Sequence, residues 1–284
     1  MREKMVGPAP IQRLFQRVDE FSGEKRKHRK LLAEMEKGIL TDYSGLGREE
    51  RAEFFSMLYD RFAERYDEHM ESTGHFRAIR KVLAFAGQHL ELPLVDLTAG
   101  TGEPLAYAMR LMKIKNMLDC LPLDGVEDVL ANFDISYRTI NVTANEISPK
   151  MLEKAKAKIN VEFTSYNALD LPDDERLKAM TVLCCQTFHL LTDDDKTALV
   201  RSMRGILYPG GKAIVVEEDP FRISETESID QVSLFLRAVT QPIKHRGTLI
   251  AYFENEDFEH MEQRAAYPID DDHIMRLHLF RRRN

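Results

Sequence analysis

The chain has 284 residues, of which 43% are hydrophobic and 31% are charged, and its formal net charge at pH 7 is −7. A chain of this length can bury a full core, and its acidic balance disfavours broad nucleic-acid binding, which needs lysine and arginine against the phosphates. No apolar run approaches the roughly 18 residues of a membrane span, and residues 1–10 contain no apolar signal core.

The N-terminal third has the apolar spacing of amphipathic helices. Helices are predicted over residues 9–38, 48–70 and 75–89, with a glycine-containing loop over 41–47. The basic run at residues 25–30 is interpreted as a charged helix face rather than a nucleic-acid patch. A largely helical N-terminal region, residues 1–90, is therefore expected.

From residue 94 onward, strand-like runs alternate with helical patterns. The predicted strands cover residues 94–97, 140–144, 161–164, 182–187 and 212–217, and the helices cover 104–118, 149–159 and 193–207. Such alternation is typical of a parallel sheet with helices on both of its faces. Ser148 before Pro149 predicts a helix N-cap, and the aspartates at 193–195 are interpreted as a helix N-terminus rather than a metal site.

The last third has a different pattern. A helix is predicted over residues 224–239, followed by two strands over 263–269 and 273–282 that flank an acidic turn at 270–272. These two strands fit an antiparallel pair that closes the sheet. Three cysteines, Cys120, Cys184 and Cys185, have no metal-ligand spacing and predict buried thiols in a reducing compartment, the cytoplasm.

Four polar segments follow predicted strands and should meet at one edge of the sheet. The first is the glycine loop after Val95, and the others contain Glu146, Asn167 and Gln186. Glycines allow close approach of a ligand to the backbone, and a carboxylate after the second strand can accept hydrogen bonds from ribose hydroxyls. The sequence therefore predicts a nucleotide-like ligand.

These segments resemble, in order, the motifs of class I S-adenosylmethionine-dependent methyltransferases, in the branch that acts on small molecules. Residues 95–102 (VDLTAGTG) resemble the first motif, 142–152 the ribose motif, 167–172 the adenine motif and 207–212 the turn before strand five. Residues 59–67 are similar to the family's N-terminal segment. The resemblance implies a Rossmann-like α/β fold with a mostly parallel seven-stranded sheet, a C-terminal antiparallel hairpin and a helical N-terminal cap.

The resemblance also implies S-adenosylmethionine as cofactor, S-adenosylhomocysteine as product and a small-molecule methyl acceptor as partner. The implied cofactor-binding residues are Tyr59, Tyr66, Asp96, Thr98, Ala99, Gly100, Gly102, Glu146, Ile147, Met151, Asn167, Ala168, Cys185 and Gln186. A methyl transfer needs a base only when the acceptor must lose a proton, and His189 is the candidate for that role. Tyr43, His75, Glu218 and His245 are weaker candidates.

Three departures from the family pattern are visible. Thr98 replaces a glycine of the first motif, and Asn167 stands where aspartate is usual. The connection between the first two strands is about twenty residues longer than usual, so residues 114–135 are interpreted as an insertion. We expect residues 91–284 to form the cofactor-binding domain, with 220–262 as a substrate-cap segment.

Three other functions are left open or disfavoured. A dinucleotide-dependent oxidoreductase would want a third glycine at position 105, which is Leu105. The basic run at residues 25–30 is the only feature that supports an RNA or protein methyltransferase. A regulator that binds S-adenosylmethionine (SAM) without transferase activity would have the same cofactor motifs, so the sequence leaves this function open. The oligomeric state is open, a homodimer being one option.

Overall fold

The computed structural model describes residues 9–21, 38–115, 130, 139–218, 246–261, 265–269 and 273–284. The N-terminal helices are α1 (Ala9–Phe21), α2 (residues 38–44), α3 (Arg48–Ser72) and α4 (His75–Ala86). Residues 41–44 are helical, so the predicted loop over 41–47 is wrong in its first half, because apolar Ile39 and Tyr43 pack into a core there. The basic run at 25–30 lies outside the described residues.

Strands and helices then alternate as predicted. The strands are β1 (Leu94–Asp96), β2 (Val142–Asn145), β3 (Glu162–Thr164), β4 (Ala179–Cys185) and β5 (Leu207–Glu218). The helices among them are α5 (Glu103–Ile114), α6 (Pro149–Lys158) and α7 (Asp193–Ile206). The chain then contains α8 (Arg246–Glu254), β6 (Phe258–Met261), β7 (Ala266–Pro268) and β8 (Ile274–Arg282).

The strands form one sheet in the order β3-β2-β1-β4-β5-β8-β6, with β7 also paired to β8. Strands β1 to β5 pair in parallel, and β8 runs antiparallel to β5, β6 and β7. The sheet therefore has eight strands rather than the seven expected. The additional strand β6 was missed because its four residues, Phe258 to Met261, place two charged or polar residues between apolar ends and lack the alternation of a strand.

Alternate residues of each strand enter two different cores, as the side-chain period of two requires. Leu94, Leu183 and Ile214 belong to the core that α4 and α5 cover, whereas Val95 and Val182 belong to the core that α7 and α8 cover. A third cluster joins α1, α2 and α3 through residues such as Phe15 and Phe54, and it includes Leu190 from the segment after β4. Helices α1 to α3 thus pack onto the end of the sheet where the parallel strands finish.

Other expectations concern residues that the structure does not describe. Most of the proposed insertion at 114–135, the predicted helix at 224–239, most of the segment 220–262, His245 and the acidic turn at 270–272 lie outside the described residues. Within the described residues, no helix is long and apolar enough to cross a membrane.

Candidate cofactor and acceptor site

The glycine loop connects β1 to α5 with the backbone conformation that the sequence predicted. Gly100 and Gly102 have φ values of +55° and +82°, which L-residues with side chains rarely adopt. A Cβ atom at Gly100 would meet no heavy atom within 4 Å, whereas one at Gly102 would lie 3.3 Å from Ala155 Cα. Gly100 therefore borders open space, and Gly102 lets α6 pack closely against the loop.

Glu146 follows β2 and lies beside this loop. Its Oε2 accepts a hydrogen bond from Gly100 N at 2.8 Å, and its Oε1 accepts one from Ser148 N at 2.8 Å. Burial raises the pKa of Glu146 to about 6, although the backbone N–H groups of Ser148 and Gly100 act in the opposite direction. The side chain is therefore mostly ionised at neutral pH and has lone pairs left for further donors.

Ser148 is the N-cap of α6, as predicted, since its hydroxyl accepts from Met151 N. The same hydroxyl donates to Asp60 of α3 at 2.7 Å. Two more bonds attach α3 to the strand ends: Ser56 Oγ donates to Ile147 O, and Thr101 Oγ1 donates to Asp67. Helix α3 is thereby held across the carboxyl edge of the sheet.

The segments after β1 and β3 are joined by the buried amide of Asn145, the last residue of β2. Its Nδ2 donates to Leu97 O and Tyr166 O, each at 3.0 Å, and its Oδ1 accepts from Thr164 Oγ1 and Tyr166 N. The next amide, Asn167, accepts from Leu169 N at 3.0 Å and shapes a local turn. Because a carbonyl oxygen has two lone pairs, Asn167 can accept one more hydrogen bond.

The segment after β4 is held by a buried carboxylate on β5. Gln186 has φ +53°, and Glu217 Oε1 then accepts from Phe188 N at 2.7 Å and from Thr187 N. The other oxygen of Glu217 lies 2.9 Å from His189 Nδ1, and neither side chain is more than 5% exposed. Glu217 therefore fixes the turn that follows β4.

These segments and α3 enclose a cavity with about 880 Å³ of empty space, open solvent at its mouth included. Most of the predicted cofactor residues line it: Tyr59, Tyr66, Thr98, Gly100, Glu146, Ile147, Met151, Asn167, Ala168, Cys185 and Gln186. Tyr59 and Tyr66 come from α3 with their ring centroids 6.2 Å apart. Burial raises the pKa of both phenols, so both are neutral at physiological pH.

Four predicted residues do not line this cavity. Ala99 and Gly102 lie within the glycine loop, and His189 faces Glu217. Asp96 is 1% exposed; its Oδ1 accepts from Thr98 N, and its Oδ2 has no hydrogen-bond partner among the described residues. Burial raises the pKa of Asp96 to about 7.

Several lining residues were not predicted from sequence. They are Arg51, Ala52, Phe55, Leu97, Asn145, Tyr166, Leu169, Thr187, Leu190, Leu191, Asp195 and Leu199. Arg51 and Asp195 form a bidentate ion pair, with Nε–Oδ2 at 2.7 Å and Nη2–Oδ1 at 2.9 Å. Burial acts to raise the pKa of Asp195, but the hydrogen bonds from Arg51, Thr192 and Arg48 and the charge of Arg51 together outweigh it, and the pKa is lowered. Asp195 does lie in the first turn of α7, as the sequence indicated, yet no local signal pairs it with a residue 144 positions away.

Comparison with known proteins finds similarity to methyltransferases. A family model described as a methyltransferase domain matches residues 128–211, which include β2, β3 and β4. Two similar curated proteins are the ubiquinone/menaquinone biosynthesis C-methyltransferases UbiE of Shewanella sp. (strain W3-18-1) and Shewanella baltica, each 27% identical over 179 residues. These matches cover 62% of this chain and 63% of each relative, so the chain spans less than two thirds of the relatives' length.

A solved structure has the same fold. It is the 1,6-didemethyltoxoflavin-N1-methyltransferase of Burkholderia thailandensis, with bound 1,6-didemethyltoxoflavin and S-adenosylhomocysteine. The TM-score is 0.52 at 16% identity, and the match covers 82% of this chain and 90% of that chain. This likeness shows that the chain has the Rossmann-like α/β fold that its motifs predicted, and residues 128–211 are similar to a methyltransferase domain.

Proposed function

We propose that this protein transfers a methyl group from S-adenosylmethionine to a small-molecule acceptor in the cytoplasm. The observation that carries the proposal is the buried Glu146 carboxylate, which lies beside the glycine loop and lines a cavity at the carboxyl ends of the parallel strands. This is the edge at which open α/β sheets bind nucleotide-like ligands. Bound S-adenosylmethionine supplies a methyl group that its sulfonium has already activated.

The residues present fit this cofactor. Glu146 has lone pairs for ribose hydroxyls, and the open space beside Gly100 can admit the cofactor. Asn167 can accept from an adenine amino group. The tyrosine rings of Tyr59 and Tyr66 present electron-rich faces that would stabilise a cationic methyl–sulfonium group.

The chain's own contribution to the reaction is alignment and exclusion of water. Helix α3 covers the strand ends and is attached through Ser56 and Asp60, which would hold the reactants in one geometry. His189 is proposed as the base where the acceptor must lose a proton. Its hydrogen bond to Glu217 also supports a positioning role, because the pair holds the segment that forms part of the cavity wall.

The comparisons support a small acceptor. The printed names of the similar proteins refer to ubiquinone/menaquinone biosynthesis and to 1,6-didemethyltoxoflavin, which are small molecules. The net charge of −7 gives no support to a nucleic-acid substrate. We further propose that residues 1–90 act as the cap and residues 91–284 as the cofactor-binding domain.

Calorimetric titration of the purified protein with S-adenosylmethionine, S-adenosylhomocysteine and NAD tests this proposal. We expect the first two ligands to bind and NAD not to bind. Binding of NAD alone would overturn the proposal. An acceptor screen with methyl-labelled S-adenosylmethionine then separates an enzyme from a SAM-binding regulator, which would bind the cofactor and methylate nothing.

A further inference from the structure

One part of the cavity is not used by the predicted cofactor contacts. It lies between α3 and α7 and is lined by Arg51, Phe55, Leu190, Leu191, Asp195 and Leu199, a set that we call the acceptor subsite. These residues come from the cap and from the chain after β4. No motif of the cofactor site includes any of them.

The walls of the acceptor subsite are apolar. Phe55 of α3 and Leu190 belong to the same apolar cluster as the cap helices, and Leu191 and Leu199 belong to the core on the α7 side of the sheet. Leu190 is 5% exposed and Leu191 is 6% exposed. A ligand in this subsite would therefore exchange water mainly for carbon atoms, which favours an apolar molecule.

The charges in the subsite compensate each other. Arg51 binds both oxygens of Asp195, and the two side chains are 12% and 1% exposed. Arg48 also reaches Asp195 Oδ1, at 3.3 Å, but is 46% exposed. An ionised ligand group placed here would lose its hydration without gaining an unpaired counter-charge, which is unfavourable.

The pair still offers hydrogen-bond donors. A guanidinium group has five N–H groups, and Arg51 directs one to Leu46 O in addition to the two that reach Asp195. The remaining N–H groups suit a neutral oxygen, such as a carbonyl or hydroxyl group. They thereby provide a way to orient a ring without requiring that the ring be charged.

We propose that the acceptor subsite takes an uncharged, mainly apolar ring compound, and that the Arg51–Asp195 pair selects against anionic acceptors. This inference rests on the proposed function, since it names the class of acceptor for that same site. It extends the site from the cofactor motifs to residues that the motifs do not contain.

Two fluorescent probes of one skeleton test the inference. N-phenyl-1-naphthylamine is uncharged, and 8-anilino-1-naphthalenesulfonate adds a sulfonate to the same anilinonaphthalene skeleton. Each is titrated into protein saturated with S-adenosylhomocysteine, whose own affinity is measured by calorimetry. We expect the uncharged probe to bind about tenfold more tightly, with one site per chain, because only the sulfonate must be desolvated.

Two variants of the pair give opposite expectations. Asp195→Asn leaves Arg51 without its carboxylate, so the anionic probe should gain about tenfold in affinity relative to the uncharged one. Arg51→Met leaves a carboxylate and should not produce that gain. Leu191→Gln should weaken the uncharged probe, whereas Leu92→Gln, at the exposed amino end of the sheet, should not change it.

Each outcome bears on a different proposal. Absence of S-adenosylhomocysteine binding overturns the proposed function and this inference together. Binding of S-adenosylhomocysteine with equal affinity for both probes, or with a probe ratio that Asp195→Asn does not change, overturns this inference alone. If a variant lost S-adenosylhomocysteine binding through misfolding, the affinities of the two probes for the unsubstituted protein would still show whether the subsite prefers the uncharged compound.

Discussion

At the scale of single residues, the proposed cofactor site rests mainly on Glu146. The sequence predicted that Glu146 follows the second strand, because the order of strands and turns places it there. Its predicted role is to accept hydrogen bonds from ribose hydroxyls. Its hydrogen bonds to Gly100 N and Ser148 N could not be predicted, since they depend on how closely two loops approach. The role in ribose binding stays a prediction that substitution can test.

Replacement of Glu146 by alanine should weaken S-adenosylmethionine binding by about 1–3 kcal/mol, roughly fivefold to 150-fold, because charge-assisted hydrogen bonds are lost. Calorimetric titration measures this change. Glu153→Ala is the matched control, because Glu153 is an exposed residue of α6 in which the same atoms are removed. Unchanged affinity in the Glu146 variant would remove the ribose assignment.

Because Asp96 is buried, we expect the free energy of unfolding to depend on pH. Burial raises its pKa to about 7 in the folded protein, from a usual value near 3.8, so the folded state holds a proton that the unfolded state releases. The free energy of unfolding should therefore decrease as pH rises from 4 toward 8, and Glu146, whose pKa is raised to about 6, acts in the same direction.

The variant Asp96→Asn lacks this ionisation. Between pH 5 and pH 8 it should lose roughly 1–3 kcal/mol less of its free energy of unfolding than the unsubstituted protein does. Urea titrations at the two pH values measure the difference. An equal loss in both proteins would mean that Asp96 is already ionised in the folded protein at pH 5.

At the scale of elements, the alternation of strands and helices was predictable because each buried strand is a short apolar run between turn signals. Contacts between distant elements were not predictable, because helix periodicity fixes which face of α3 is apolar but not what that face meets. Asp195 illustrates the limit: its place in the first turn of α7 follows from local sequence, whereas its partner Arg51 comes from α3.

Substitution of Gly102 by alanine tests the packing of α6 against the glycine loop. Alanine there must adopt φ +82° and bring its Cβ to 3.2–3.3 Å from Ile159 and Ala155. We expect a loss of about 1–3 kcal/mol in the free energy of unfolding. Gly205→Ala, in helix α7 with no heavy atom within 4 Å of the new Cβ, should change stability by less than about 1 kcal/mol and in the stabilising direction. Equal effects at both positions would contradict this account.

Substitutions at Glu217 test how strand β5 holds the turn after β4. Glu217→Met removes the acceptor for Thr187 N and Phe188 N in a fully buried position, and should cost about 2–5 kcal/mol in denaturant unfolding. Glu217→Gln keeps one carbonyl oxygen for those N–H groups and should recover most of that loss. If glutamine and methionine were equally destabilising, the contact between the Glu217 carboxylate and His189 Nδ1 would be the important one instead.

At the scale of the whole molecule, ligand binding and stability should be linked. The cofactor site is assembled from β1, β2, β3, β4 and α3, so a ligand that binds it stabilises only the folded chain. S-adenosylhomocysteine at a hundredfold excess over its Kd should raise the free energy of unfolding by about 2.7 kcal/mol, and NAD should have no effect. Thermal unfolding with each ligand measures this. A shift with NAD and none with S-adenosylhomocysteine would contradict the proposed cofactor.

The class of fold was predictable for the whole molecule, but the cavity's acceptor end was not. Cofactor motifs are local in sequence, since each is a strand end followed by a turn. The acceptor subsite joins Phe55 to Leu190 and Leu191, residues on elements that meet only after folding. The count of strands was missed by one for a related reason, since β6 is defined by its partner β8 more than by its own four residues.

The bond from Tyr43 to Leu190 O joins residues 147 positions apart, and the apolar cluster of the cap includes Leu190 as well. Synthesis on the ribosome proceeds from the N-terminus, so helices α1 to α3 emerge long before the residue that completes their cluster. During that interval the cluster lacks Leu190, and apolar surface left exposed in an incomplete chain is what chaperones bind and what aggregates. Helices α1 to α3 are therefore made well before the cluster that they form is complete.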